Sequence, residues 1–234
     1  MKRPQGKERQ EYEEKTKEIR FDLYKEIIKD YPDTAGVILG HHLGDLQENI
    51  IFNFMKGRGL LQLPVIMPIS KQYQVKVLRP LLGHPKTDIF KLSEVANIPY
   101  FKNTTPVWSN RGRFRNEILP LLQTTFGIGF GKNIIKNGEE SDELKLLIHE
   151  EVIKPYLQTV FSNEGKHYFP KLEGKTFTFW KIVISHWASE QKLPPFSFKS
   201  LTLLYEQMKM SGLTVTMNSK CTVAVTDNYI IFSV

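Results

Sequence analysis

The run AGVILG at residues 35–40 constrains the architecture of this 234-residue chain more than any other stretch. It is short, branched and apolar, the composition of a strand covered on both faces, and it ends in glycine. Ahead of it, residues 9–31 carry Ile19, Leu23, Tyr24, Ile27, Ile28 and Tyr31 at three- and four-residue steps. That spacing predicts an amphipathic helix stopped at Pro32-Asp33. Behind it, residues 43–56 set Leu43, Leu46, Ile50, Ile51, Phe54 and Met55 on one side and close at Gly57-Arg58-Gly59, which predicts a second helix. Helix, buried strand, helix is the pattern of an α/β layer built on a parallel sheet.

A strand that ends in glycine and feeds a helix delivers the next polar residues to the carboxyl edge of the sheet, where open α/β folds bind ligands. Here those residues are His41 and His42 in the turn, then Asp45 and Glu48, three apart on one helical face. Helix amides and imidazoles suit a phosphate, and the two carboxylates suit a hydrated magnesium ion. Equally, Asp45 suits a capping or dipole-compensating acid beside two ordinary turn histidines. The pattern alone leaves both readings open. HHxxDxxE is not a strong zinc spacing, and Cys221 is the only cysteine, so the chain has no disulfide framework, CxxC zinc site or cysteine-ligated cluster of its own. A reducing compartment, the cytoplasm, is expected. No run of eighteen apolar residues occurs, and the hydrophilic start lacks the apolar core of a signal peptide.

Further along, YQVKVLRPLL (73–82) alternates at Tyr73, Val75 and Val77, predicting a strand that ends near Pro80 with Arg79 at its tip. Pro85 and Pro99 bracket a predicted helix. Residues 100–116 read as an ordered loop leading into a helix near Glu117. Within NTTPVWSNRGRFRNEILPLL (103–122), Arg111, Arg113 and Arg115 alternate beside Trp108, and Lys102 adds a fourth cation. Guanidinium forks suit phosphate oxygens and an aromatic can stack a base. A surface helix start whose arginines pair with nearby acids is the other reading. The chain's 32 Lys+Arg against 25 Asp+Glu, a net charge of +7, favours a polyanionic partner.

The glycine-spaced GIGFGKN (127–133) lacks the Walker spacing and reads as a hinge. Beyond it, helices are predicted within residues 140–157 and 197–210, and a mixed or helical apolar segment at 177–191. The closing LTVTMNSKCTVAVTDNYIIFSV reads as a three-stranded meander turning at Asn218-Ser219 and Asp227-Asn228. A domain boundary is therefore expected near 123–135, dividing the chain into residues 1–122 and a smaller α+β domain over 123–234.

In order and spacing, GHHLGDLQEN, GRGLLQLPVIMP, VLRPLLGHPKTDIFKLSEVANIPYFKN and SNRGRFRNEILPLL resemble the tRNA(Ile)-lysidine synthetase family, part of the wider group of PP-loop ATP pyrophosphatases. The resemblance covers roughly residues 15–122. It implies a partial adenine-nucleotide α-hydrolase-like catalytic domain over 1–122, with helices flanking a parallel sheet, and a tRNA-binding domain over 123–234. The implied chemistry uses ATP and magnesium: the C2 carbonyl oxygen of a wobble cytidine in tRNA is adenylated, and the amino group of free lysine displaces AMP. By the same resemblance, His41, His42, Asp45, Glu48 and Arg79 are the catalytic set, with Asp45 and Glu48 nearest the metal. Arg111, Arg113 and Arg115 would contact AMP or tRNA phosphate.

Two departures stand out. Gly44 occupies the first of two positions where that family carries paired aspartates, and Asn49 replaces its threonine. The motif Ser-Gly-Gly-x-Asp-Ser, which in that family lies upstream of the twin histidines, does not occur in these residues. The resemblance thus carries the expectation of a chain that begins late: a truncated frame, a partner to a separate loop-bearing polypeptide, or a degenerate paralogue. A non-catalytic tRNA-binding remnant and a tRNA 2-thiolation relative are the competing readings. Sulfur transfer generally needs cysteine pairs, which this chain lacks.

Overall fold

The computed structural model describes residues 7–64, 66–101, 105–210 and 212–234. The chain divides into two compact units, Met1–Glu143 and Leu144–Val234.

The first unit opens with α1 (Lys7–Asp30), followed by β1 (Val37–Ile38) and α2 (Leu43–Met55). A hairpin of β2 (Ile69–Gln72) and β3 (Val75–Leu78) comes next, then α3 (Lys86–Val95). The sheet order is β1-β3-β2, with β1 parallel to β3 and β2 antiparallel to it. The expected parallel sheet is therefore a small mixed one. The first hairpin strand, β2, hid behind its turn: Tyr73 and Gln74 take φ of 48° and 69°, a two-residue turn that glycine or asparagine normally announces. Tyr73 is a turn residue, not the strand residue its alternation suggested. It is held by stacking on Phe21 at 5.0 Å between ring centroids.

Phe21, Val75 and Val77 form the buried centre of this unit, with Tyr24, Ile28, Val37 and Leu39 packed around them. Only part of the predicted α1 face is used. Ile19, Leu23, Ile27 and Tyr31 are exposed, and so is Ile38 of β1, so that strand is not covered on both faces.

Helix also begins earlier than expected after the 100–116 stretch. Asn110–Arg113 (α4) passes through a π-helical turn at Phe114–Ile118 into α5 (Leu119–Phe126), one continuous helical rod. In the glycine run, Gly127 turns the chain at φ +80° and α6 (Phe130–Ile148) starts at once. A side-chain carbon at Gly131 would lie 2.6 Å from Gln47. The run is thus a turn and a close-packing face against α2.

The second unit holds a π-helical turn at His149–Ile153, α7 (Lys154–Leu157), α8 (Phe177–Glu190) and α9 (Phe198–Gln207). Its strands are β4 (Phe161–Asn163), β5 (Lys166–Pro170), β6 (Leu213–Asn218), β7 (Cys221–Val225) and β8 (Tyr229–Ser233). They form one antiparallel sheet in the order β4-β5-β8-β7-β6. The predicted meander is β6-β7-β8; the β4–β5 hairpin joins it, turning at Glu164 and Gly165 with φ of 50° and 74°. Trp180, Val183, Ile184 and Trp187 of α8 bury against Phe169, Val223, Ile230 and Phe232 of the sheet. Among the described residues no helix is long and apolar enough to cross a membrane.

Candidate functional site

Because β1 and β3 run parallel with Ile38 opposite Leu78, the residues that follow the two strands emerge side by side at the carboxyl edge of the sheet. His41 follows β1 and Arg79 follows β3. The Arg79 guanidinium donates from Nε to Nδ1 of His41 at 3.3 Å. It also donates to the carbonyl of Met67 at 2.8 Å and to Oγ of Ser70 at 2.9 Å. Arg79 is only 4% exposed, and every one of these partners is neutral. Among the described residues no carboxylate forms an ion pair with it. A buried cation without a counter-charge is costly, so the pocket is built to favour negative charge nearby.

His42 caps α2. Its Nδ1 accepts from the Gly44 N–H at 3.1 Å, while Oδ2 of Asp45 accepts from the His42 N–H at 3.0 Å. This reciprocal arrangement satisfies two helix-start donors. Asp45 therefore does serve as a capping acid, and it has a second task. Arg115 donates from Nη2 to Oδ1 of Asp45 at 2.7 Å and from Nε to Oε2 of Glu48 at 2.8 Å. Arg111 straddles the same pair, reaching Oε1 of Glu48 at 2.6 Å and Oδ1 of Asp45 at 3.5 Å. Two acids one helical turn apart thus meet two guanidiniums one turn apart, each guanidinium bridging both carboxylates. Charge-assisted pairs of this geometry can compensate burial, and Glu48 is 2% exposed.

The arginines face α2 because the rod that carries them is seated firmly at its start. Oγ of Ser109 accepts from the Gly112 N–H at 2.9 Å and donates to the Pro106 carbonyl at 2.7 Å. A side-chain carbon at Gly112 would lie 2.1 Å from that same carbonyl oxygen. Sequence reasoning missed Ser109 and Gly112; the serine three residues before a helical Gly–Arg run was the available signal. Arg113 is not part of the cluster. Its neighbour is the exposed Glu117 at 3.5 Å. Trp108 is 56% exposed, and Lys102 lies outside the described residues.

Electrostatics follow from this packing. Burial pushes the Asp45 carboxyl up, but the His42 N–H, the His42 ring and both arginines outweigh it, and the group titrates below its ordinary value. Burial holds both histidines below 6.5; Arg79 and Arg111 add to this at His41, and Arg115 and Lys86 at His42, against the opposing pull of Asp45. Both imidazoles are neutral at neutral pH. Counting Asp45 and Glu48 against Arg79, Arg111 and Arg115 leaves one positive charge in surplus, which suits an anionic ligand. Magnesium fits less well. Both oxygens of each acid already accept hydrogen bonds, and among the described residues no three His, Cys, Asp or Glu side chains gather where they could hold a metal ion.

Gly44, one of the two departures in the sequence, has a local reason. A side-chain carbon there would come within 3.0 Å of Cε1 and 3.1 Å of Nδ1 of His42, crowding the ring that caps the helix.

The chain is similar to several known proteins. The tRNA(Ile)-lysidine synthase of Chlamydia caviae is 24% identical over 159 residues, 67% of this chain and 50% of the relative. The tRNA(Ile)-lysidine synthases of Chlamydia muridarum and of Chlamydia trachomatis serovar D are each 28% identical, over 156 and 160 residues, covering 66% and 68% of this chain and 48% and 49% of the relatives. The chain spans about half the length of the curated relatives it matches. The expectation that an N-terminal loop segment is lacking finds no support in these matches. Residues 2–122, just over half of the chain and the whole of the cluster described above, match the PP-loop domain, and the chain belongs to that ATP-binding family.

Proposed function

We propose that this protein is a tRNA(Ile)-lysidine synthase-like ligase, with the crevice at the start of α2 as its nucleotide and activated-base site. The observation that carries this reading is the convergence of His41, Arg79, His42 and the Asp45–Glu48–Arg111–Arg115 lattice at one sheet edge, with a buried guanidinium that has no ion-pair partner among the described residues. A pocket with surplus positive charge favours the oxygens of a transferring adenylyl group. In the proposed reaction the C2 carbonyl oxygen of the wobble cytidine attacks the α-phosphorus of ATP, expelling pyrophosphate. The amine of lysine then adds at C2, AMP departs with the former carbonyl oxygen, and the amine loses a proton. Activation is needed because a pyrimidine carbonyl oxygen is a poor leaving group.

Residues 1–122 are assigned the catalytic part and residues 123–234 a tRNA-binding part. The thiolation alternative is disfavoured by Cys221, whose thiol is buried and pushed up to about 11, which keeps it from acting as a thiolate. The test supplies the full chain with ATP, lysine and an isoleucine tRNA transcript. tRNA-dependent pyrophosphate release with lysine incorporation is the expected result. Salt-sensitive tRNA binding without turnover would instead mark a binding module and refute the ligase.

A further inference from the structure

We infer that Arg79 is a positioning residue that fixes His41 as a neutral hydrogen-bond donor at Nε2, presenting an N–H to an anionic oxygen of the ligand. The inference deepens the reading of the crevice as a nucleotide site and rests on it for the identity of that oxygen.

The argument begins with donor and acceptor inventory. A guanidinium has only N–H donors and never gives up its proton in a protein. When Arg79 Nε donates to Nδ1 of His41 at 3.3 Å, Nδ1 must supply a lone pair. The ring proton of neutral His41 therefore sits on Nε2. The guanidinium cannot rotate away to release that nitrogen, because its Nη1 is tied to the Met67 carbonyl and the Ser70 hydroxyl. The Arg79 backbone N–H is bonded to the Pro68 carbonyl at 2.8 Å as well. The fork is held at three points around a buried centre.

His42 makes the contrast. Its Nδ1 is likewise occupied, by the Gly44 N–H, but its Nε2 lies 3.4 Å from Oδ2 of Asp45, beside an acid of the protein itself. Among the described residues nothing accepts from Nε2 of His41, and that side chain is only half-buried. Of the twin imidazoles, one is a helix cap and the other has a donor left for a ligand.

The chemical consequence is specific. With its acceptor nitrogen occupied, His41 cannot serve as a general base. A cation bonded at Nδ1 instead polarises the ring and strengthens the Nε2–H as a donor, so the charge of buried Arg79 reaches the ligand through the imidazole. Such a donor suits a phosphoryl oxygen or the oxygen bearing it.

Ring-nitrogen NMR of the full chain with 15N-labelled histidine tests this directly, with His41 assigned by His41→Gln. The ligand-free protein is expected to show His41 as a single Nε2–H tautomer at neutral pH. Arg79→Lys keeps the charge but not the planar fork, and is expected to lose that single-tautomer signature. An Nδ1–H or mixed tautomer in the unaltered protein overturns the inference whether or not any variant folds. An unchanged tautomer in a folded Arg79→Lys does so too. AMP is the ligand probe. A shift of the His41 Nε2–H resonance on its addition supports the donor role, whereas a fixed tautomer that ignores AMP keeps the Arg79 assignment and refutes the nucleotide reading of the crevice.

Discussion

Glu48 shows how a single buried charge sets the behaviour of its surroundings. Both of its oxygens accept from guanidiniums, so Glu48→Gln would leave Arg111 and Arg115 sharing one acid, and would turn an amide N–H toward one of them. Breaking a buried pair from one side costs about 3–5 kcal/mol; with Arg111 half exposed, about 3 kcal/mol is expected, read from the urea midpoint of the full chain. The titrating residues around it act in one direction. Asp45 is depressed, so its contribution is complete above about 3.9, the usual unfolded value, and lost as pH falls through the folded one. His41 and His42 are held below 6.5, so between their folded values and 6.5 the unfolded chain binds more protons and stability is lost as the pH drops. The urea midpoint of the wild type is therefore expected to be lower at about pH 5.5 than at about pH 7.5. A His41→Gln/His42→Asn double variant should narrow that difference; an equal difference in both proteins would remove the histidines from the explanation.

At the level of elements, α2 and the helical rod from Asn110 to Phe126 are matched by period. Asp45 and Glu48 are three residues apart, Arg111 and Arg115 four, and both spacings return a helix to the same face. This is why part of the site was legible: residue types and helical spacing are written in the chain. That the arginines would meet those particular acids was not legible, because the pairing spans more than sixty residues and depends on how the rod is seated. The early start of that rod was obscured by its π-helical turn, which breaks the ordinary periodicity at Phe114–Ile118. β2 and β4 were hidden for another reason: each hairpin turns through a non-glycine residue at positive φ, Tyr73 and Gln74 in one and Glu164 in the other, so the usual turn signal was weak or absent. The seating of the rod makes a prediction of its own. Gly112→Ala would drive a methyl group into the Pro106 carbonyl and must displace backbone, costing about 1–3 kcal/mol, as overpacking does. Because the displaced segment carries both arginines, nucleotide binding is expected to weaken along with stability. Gly131→Ala, whose added carbon meets only the flexible end of Gln47, serves as the comparison and should lose little of either.

Across the whole molecule, the net charge of +7 supplies an attraction to a polyanion such as the proposed tRNA, but the individual cations do not contribute alike. Counterion release counts charges that neutralise phosphate, with a slope of log affinity against log salt of about −0.7 per phosphate for single strands. Arg111 and Arg115 are already neutralised by Asp45 and Glu48, so handing them to a phosphate would strand two buried carboxylates. Arg113 is different: its side chain is 64% exposed and its one described acidic neighbour, Glu117, is itself 54% exposed at 3.5 Å, a pair worth little in water. If this surface meets RNA, Arg113→Ala should flatten the salt dependence by about 0.7 in slope. Arg111→Ala, compared at a temperature where circular dichroism shows it folded, should leave the slope unchanged while impairing pyrophosphate release. Fluorescence anisotropy of labelled tRNA across a potassium chloride series reads both. A slope altered by Arg111→Ala and not by Arg113→Ala would mean that the lattice opens to release its arginines to RNA, and that the acids of α2 are counter-charges exchanged during binding.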